Sequence, residues 1–293
     1  MVGTIVVAID GGAASDAALS WAIDWAKRTS LNLDVCAVAD RSWSPEKAEH
    51  FRPTYQRILE KALDRVAASA PSIHVTSTLR HGHPAGALVN ASRAASLLVV
   101  GTNKTGALSG LVHGTLPLKL AAEVVSPLVV VPTNWEGSQG RVVVGVDGDT
   151  DPNALDFAAE ATRRLGTELL LVHAWDVPSP VVTDFLGHGD LYGDMERGNS
   201  HLLDSVFRQV ERSNPGLKMS KQLIYGNPSV VFGQAAEGAA LAVVGTHHRH
   251  AIAGMLLGSV GHDLLMNMPS PVAIVPPDEP ERVVSVDDFD DDF

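Results

Sequence analysis

TIVVAIDG at residues 4–11 and RVVVGVDG at residues 141–148 decide the fold. Each carries an unbroken run rich in β-branched residues and ends in Asp-Gly. Such a run, apolar without alternation, reads as a strand buried on both faces. Finding it twice points to duplication, and the rest of the chain repeats in register. HGHP (81–84) recurs as YGNP (225–228), and LVVGT (98–102) as AVVGT (242–246). Gly114-Thr115 recurs as Gly258-Ser259, and SPLVVVP (126–132) as SPVAIVP (270–276). All four pairs share one offset of 144 residues, and a period running the length of a chain is the mark of a repeated structural unit.

Within the first unit, strand-like runs at Thr4–Ile9, Leu33–Ala39, Ile73–Leu79, Leu97–Gly101 and Leu128–Val131 alternate with helical stretches. The first helix, near Ser15–Arg28, places Ala18, Trp21, Ala22 and Trp25 on one face, with Ser15 as its expected N-cap. The others are expected near Pro45–Ala68, from Pro84 to Ala95, and from Gly114-Thr115 to Val124. Strands alternating with helices give an α/β fold, a parallel sheet covered on both faces. Ligands in such sheets bind at the carboxyl ends of the strands, where the strand order reverses. Length supports two units of ordinary domain size. The boundary falls in the Gly/Ser-containing connector, so the expected domains are 1–137 and 138–277, with an acidic tail at 278–293.

The 293 residues are 45% hydrophobic and 19% charged, a globular balance. Net charge is −12, and the tail supplies −7 of it, with eight acids against Arg282. The body therefore lacks the basic footprint that nucleic-acid binding needs. The tail reads as solvated and disordered; Phe289 and Phe293 among its acids offer a short docking motif. No run approaches the ~20 apolar residues of a membrane span, and no secretory signal opens the chain. The single cysteine, Cys36, lies in an apolar run and reads as a core thiol of a protein in the reducing cytoplasm.

Chemistry concentrates after the fourth strand of each unit. Gly101-Thr-Asn-Lys104 is followed by nine residues and Gly114-Thr115; Gly245-Thr-His-His248 is followed by nine and Gly258-Ser259. A glycine loop leading into a helix start offers backbone N–H groups and a dipole to a phosphate, and the hydroxyl of Thr115 or Ser259 adds a donor. The same residues are equally suited to capping the helix and nothing more. Asp10 and Asp147, ending the first strands, suit a base amino group or a ribose hydroxyl, or simply an Asp-Gly turn.

Other patterns fail. Asp147, Asp149 and Asp151 alternate as in a calcium loop, but Pro152 and Ala158 stand where that loop needs Gly and Glu. His81, His83, His247, His248 and His250 lack partners at metal-binding spacing. There is no Walker A sequence and no nucleophile elbow. The Gly-rich segment Val177–Asn199 reads as a loop inserted before the second helix of the second unit, a lid or a plain insertion.

At this point the chain resembles a tandem universal stress protein of the actinobacterial type. The resemblance rests on the openings quoted above, on Val172-His173-Ala174-Trp175, on the loop ending in Gly258-Ser259, and on SPVAIVP, and it covers residues 1–277. It implies two doubly wound five-stranded parallel sheets of strand order 3-2-1-4-5, like the adenine nucleotide alpha hydrolases, and association through strand five; the two units are expected to pack about a pseudo-twofold axis, and a homodimer of whole chains through strand five stays open. It implies a cytoplasmic stress-response protein that binds ATP, with Mg2+ as its companion, as a regulatory ligand in one or both units, with no catalytic residues, no structural metal and no or very slow hydrolysis. Asp10 and Asp147 would meet the adenine, and Val38 and Ala174 would line the base pocket. Gly101, Gly114, Thr115, Gly245, Gly258 and Ser259 would hold phosphates. Lys104 and His248 depart from the family loop, which has Gly there. They either close the site or place positive charge beside the phosphates. A nucleotide-free adaptor serving an unknown protein partner and a slow ATP-hydrolysing enzyme are the alternatives.

Overall fold

The structure, a computed structural model of the chain, describes residues 3–40, 45–103, 115–137, 140–176, 191–246 and 257–277. The first unit runs β1 (Thr4–Ala8), α1 (Ala13–Thr29), β2 (Asn32–Ala39), α2 (Pro45–Ser69), β3 (Val75–His81), α3 (Pro84–Ser92), β4 (Leu97–Thr102), α4 (Thr115–Glu123) and β5 (Leu128–Pro132). The second runs β6 (Val142–Gly145), α5 (Pro152–Leu165), β7 (Leu169–Trp175), α6 (Leu191–Ser213), β8 (Met219–Tyr225), α7 (Pro228–Ala235), β9 (Leu241–Gly245), α8 (Gly258–Asn267) and β10 (Val272–Val275).

Each unit has the expected order, β3-β2-β1-β4-β5 and β8-β7-β6-β9-β10, with parallel neighbours throughout. The two sheets are joined through strand five. β5 pairs antiparallel with β10, which makes one ten-stranded sheet. Val129 faces Ala273, its own counterpart 144 residues on, so a pseudo-twofold axis passes through that pair. The strand-five edge is thereby used inside the chain. The association through strand five that the resemblance implies is met within the chain, so a homodimer of whole chains, left open by the sequence, finds these two edges taken: one linker keeps them at high local concentration.

Successive strand residues face opposite sides, so the apolar runs feed two cores. Ile5, Val7, Val142 and Val144 face α1, α2, α5 and α6. Val6, Val130, Val143 and Val172 face α3, α4, α7 and α8. Both cores cross the seam. Trp21 stacks on Trp25 with ring centroids 5.2 Å apart, and Trp25 meets Phe157 of the second unit at 6.5 Å.

Two local expectations change. Ser15 is not the cap of α1: the helix starts earlier, with Gly12 at the cap position, and the Ser15 hydroxyl donates back to the Gly12 carbonyl at 2.9 Å. Asp10 accepts from the Gly12 N–H at 2.8 Å and turns the chain early, which leaves Ser15 inside the helix. The Val177–Asn199 loop ends sooner than expected. Residues 177–190 lie outside the described chain, but Leu191–Asn199 is already α6. Tyr192 packs on Trp175 and Tyr225 at 5.0 and 5.5 Å, and Asn199 reaches the His173 ring at 2.8 Å. Those tertiary contacts outweigh the roughly 1 kcal/mol that each of Gly193 and Gly198 costs a helix. The acidic tail lies outside the described residues.

Because both cores run across the seam, the chain is expected to unfold in urea as one transition, and Trp25→Ala is expected to lower its stability by about 3–5 kcal/mol; two resolved transitions, read by tryptophan fluorescence and circular dichroism together, would contradict the shared core. Cys36 is fully buried and burial pushes its thiol up to about 11, against a smaller lowering by Arg80. It is expected to resist a disulfide-exchange reagent in the native protein at pH 8 and to react at once in denaturant.

Candidate functional site

In the second unit β6 pairs with β7 on one side and β9 on the other, which makes it the strand where the order reverses. A cavity of about 320 Å³ opens there, at the carboxyl ends of β6, β7 and β9. Of the six residues singled out in this unit, five line it: Asp147, Ala174, Gly245, Gly258 and Ser259. His248 lies outside the described residues.

The cavity is shaped by size matching. Gly145 ends β6, and a Cβ there would stand 3.2 Å from the Phe232 ring, so glycine makes room for the ring that forms one wall. Val172, Val244 and Leu257 complete an apolar lining. Ala174, half-buried on β7, keeps the space beside it open. Sequence reading missed Phe232, Thr150 and Pro228; the signal for Pro228 was the Asn227-Pro228 turn, while nothing local marked Phe232 as more than core.

Three helix starts lie close to this crevice, and they differ in how their N–H groups are met. Asp151 caps α5, accepting from the Asn153 N–H at 2.8 Å. Asn227 caps α7, accepting from Ser229 and Val230. α8 has Leu257 at its cap position and no side-chain cap. Its first N–H groups have no intrahelical partner, and Gly258, Ser259, Val260 and Gly261 all line the cavity. Ser259 therefore does not act as the cap of its helix, which was the plainer of its two readings. Gly258 has φ of +70°, a conformation glycine adopts without strain.

Asp147 makes the local turn that was the bland reading of its position. Its Oδ1 accepts from the Asp149 N–H at 3.1 Å and from the Thr150 hydroxyl at 2.8 Å. The turn fixes the carboxylate at the cavity rim. Behind it, buried His173 lies with Nδ1 2.6 Å from the Val146 carbonyl and Nε2 2.8 Å from Asn199 Oδ1, tying the end of β6 to α6.

The first unit uses the same positions differently. Asp10, exposed, holds the Gly12 turn. Val38 is half-buried, and beside it in register stands Arg80, where Ala174 has Ile224; Arg80 Nε is buried without a hydrogen-bond partner. Gly101, next to last in β4, lies against the first turn of α1: a Cβ there would lie 2.0 Å from the Ala14 carbonyl oxygen. Close helix–strand packing alone demands that glycine. Gly245 has no such constraint, with the Ala154 Cβ 3.4 Å away. Lys104 and Gly114 lie outside the described residues. Thr115 begins α4, and its side chain is likewise outside them. Among the described residues no three acidic, His or Cys side chains gather to hold a metal, and no helix is long and apolar enough to cross a membrane.

The model of the universal stress protein family matches residues 1–132 and again 140–276. Universal stress proteins of Mycobacterium tuberculosis strain H37Rv and of Mycolicibacterium smegmatis are each 27% identical to the chain. The first match spans 92% of this chain and 94% of that protein; the second spans 93% and 97%. The crystal structure of a universal stress protein from Archaeoglobus fulgidus is similar in fold over 94% of this chain and 98% of its own, with a TM-score of 0.68 at 17% identity.

The two glycines make a direct test of the packing. Gly101→Ala is expected to destabilise by about 1–3 kcal/mol, since backbone must move to admit the methyl. Gly245→Ala is expected to stay within about 1 kcal/mol of the parent. Urea midpoints of the two variants measure the difference.

Proposed function

The chain belongs to the universal stress protein family, and from that premise we propose that its second unit binds an adenine nucleotide, ATP foremost, as a regulatory ligand rather than a substrate for turnover. The observation that carries this is the start of α8, without a side-chain cap among the described residues, opening into an apolar cavity beside Asp147. An apolar slot of about 320 Å³ suits a nucleoside. Asp147 at its rim suits the base amino group or a ribose hydroxyl. The uncapped N–H groups of α8 and the Ser259 hydroxyl suit phosphate oxygens, an attraction of about 0.3–1 kcal/mol from the helix dipole alone and more where partly buried. Mg2+ would arrive as the nucleotide's own counter-ion, held by its phosphates.

Turnover should be slow. Among the described residues Asp147 is the one carboxylate lining the cavity, and its Oδ1 is already committed to the Asp149 and Thr150 donors, which leaves it poorly placed as a general base. Binding would stabilise the chain by linkage and alter the surface around the crevice, the form in which a protein partner in the cytoplasm would read it. The first unit is a weaker candidate, because Arg80 replaces the apolar neighbour of the base position and Gly101 is spent on packing. The competing reading, a nucleotide-free adaptor, is favoured only if the Lys104 and His248 loops close both sites.

Nucleotide released from the denatured, freshly purified protein is expected at about one per chain, with ATP dominant over ADP and AMP. Ala174→Phe, which fills the base slot, is expected to abolish it; Ser259→Ala is expected to weaken ATP by about 2–12-fold, one neutral hydrogen bond's worth. No released nucleotide, together with no thermal shift in millimolar ATP, would leave the adaptor.

A further inference from the structure

A second cavity, of about 300 Å³, lies in the first unit on the opposite face of the sheet from the nucleotide crevice, between α1 and α2. Its floor is apolar: Ile9 at the end of β1, Leu19 of α1, and Ile58 and Ala62 of α2. Its rim is cationic. Arg57, Lys61 and Arg65 follow one another at one-turn spacing along α2 and all line the cavity.

The three cations are not equivalent. Arg65 is spoken for: its guanidinium donates to Asp16 Oδ1 at 3.0 Å and to the Ser20 hydroxyl at 2.8 Å. Among the described residues Arg57 donates only Nε, to the Pro53 carbonyl at 3.3 Å, and the side chain is exposed. Lys61 has no acidic partner among the described residues. Two exposed cations one turn apart, in no ion pair among the described residues, stand over an apolar hollow, while the one acid of the described lining, Asp16, is held by Arg65.

The duplicated unit provides an internal comparison. Ile58 lies 3.0 Å from where a Gly11 Cβ would be, and Leu202 lies 3.5 Å from the same point on Gly148. The two helices therefore correspond at the 144-residue offset. At that offset Arg57, Lys61 and Arg65 become His201, Ser205 and Gln209. The buried face is kept, with Leu59 and Val66 answering to Leu203 and Val210, while the charged stripe is not. The second unit builds the same helix without cations at these positions.

We propose that this cavity is a binding site for a small organic anion with an apolar body, its carboxylate or phosphate head held by Arg57 and Lys61 and its body seated on Ile9, Leu19, Ile58 and Ala62. The forked guanidinium suits an oxyanion directly and the ammonium adds a point charge. The site is independent of the nucleotide crevice: it belongs to the other unit and the other face of the sheet.

Calorimetric titration of the full chain with octanoate, octyl phosphate and inorganic phosphate tests it. One or both octyl probes are expected to bind at least about tenfold more tightly than inorganic phosphate. Arg57→Gln with Lys61→Gln is expected to weaken that binding by about tenfold or more, the loss typical of charge-assisted contacts. Thr54→Trp, at an exposed rim position, is expected to obstruct the cavity with the same result. Both variants should keep the parent's melting temperature and its affinity for ATP, and Ala174→Phe should leave octyl binding untouched. The proposal is overturned if neither octyl probe binds at millimolar concentration, if inorganic phosphate binds as well as they do, or if the first-unit variants bind them unchanged.

Discussion

Val129 lies opposite Ala273 at the centre of the sheet, and the rest of the molecule is arranged around that antiparallel pair. An edge strand with unpaired N–H and C=O groups invites another strand. Duplication supplies one of matching sequence on the same chain. Pairing β5 with β10 removes both inner edges, lets the two apolar cores run continuously across the seam, and brings Trp25 against Phe157.

Symmetry of the frame has not preserved symmetry of the sites. Where the first unit has Ala8 and Leu88, the second has Gly145 and Phe232, and the loss of one methyl matches the gain of a ring. Arg80 stands beside Val38, and Ile224 beside Ala174. The charged stripe of α2 has no counterpart on α6. The first and last of these changes alter what a cavity wall presents, while the strand interiors that carry the sheet stay apolar, because those are buried on both sides and tolerate neither charge nor a void.

Several features were legible because they are local. The β-branched runs, the 144-residue register and the Asp-Gly turns follow from residue types at fixed spacing, and strand order within each unit came with the family resemblance that those runs support. The choice between phosphate cradle and helix cap at Gly258-Ser259 was not legible. It turns on Leu257, whose place at the cap of α8 appears only once the helix is built. Likewise Gly101 and Gly245 are indistinguishable in sequence, yet one presses on the Ala14 carbonyl and the other has room. Ser15 looked like a cap because the Asp10–Gly12 turn, which starts α1 early, depends on backbone direction rather than on composition.

By itself, then, the sequence determined the elements, their repetition, the apolar faces and the family, all of which depend on periodicity and on side-chain type along the chain. The tertiary structure alone decided that the association through strand five falls within one chain, antiparallel with Val129 opposite Ala273, that Tyr192 and Asn199 hold Leu191–Asn199 in a helix, and that Phe232 walls a cavity while Arg57 and Lys61 overhang another. Those outcomes depend on which surfaces meet across long separations, and on the volume left where they meet, which no local pattern encodes.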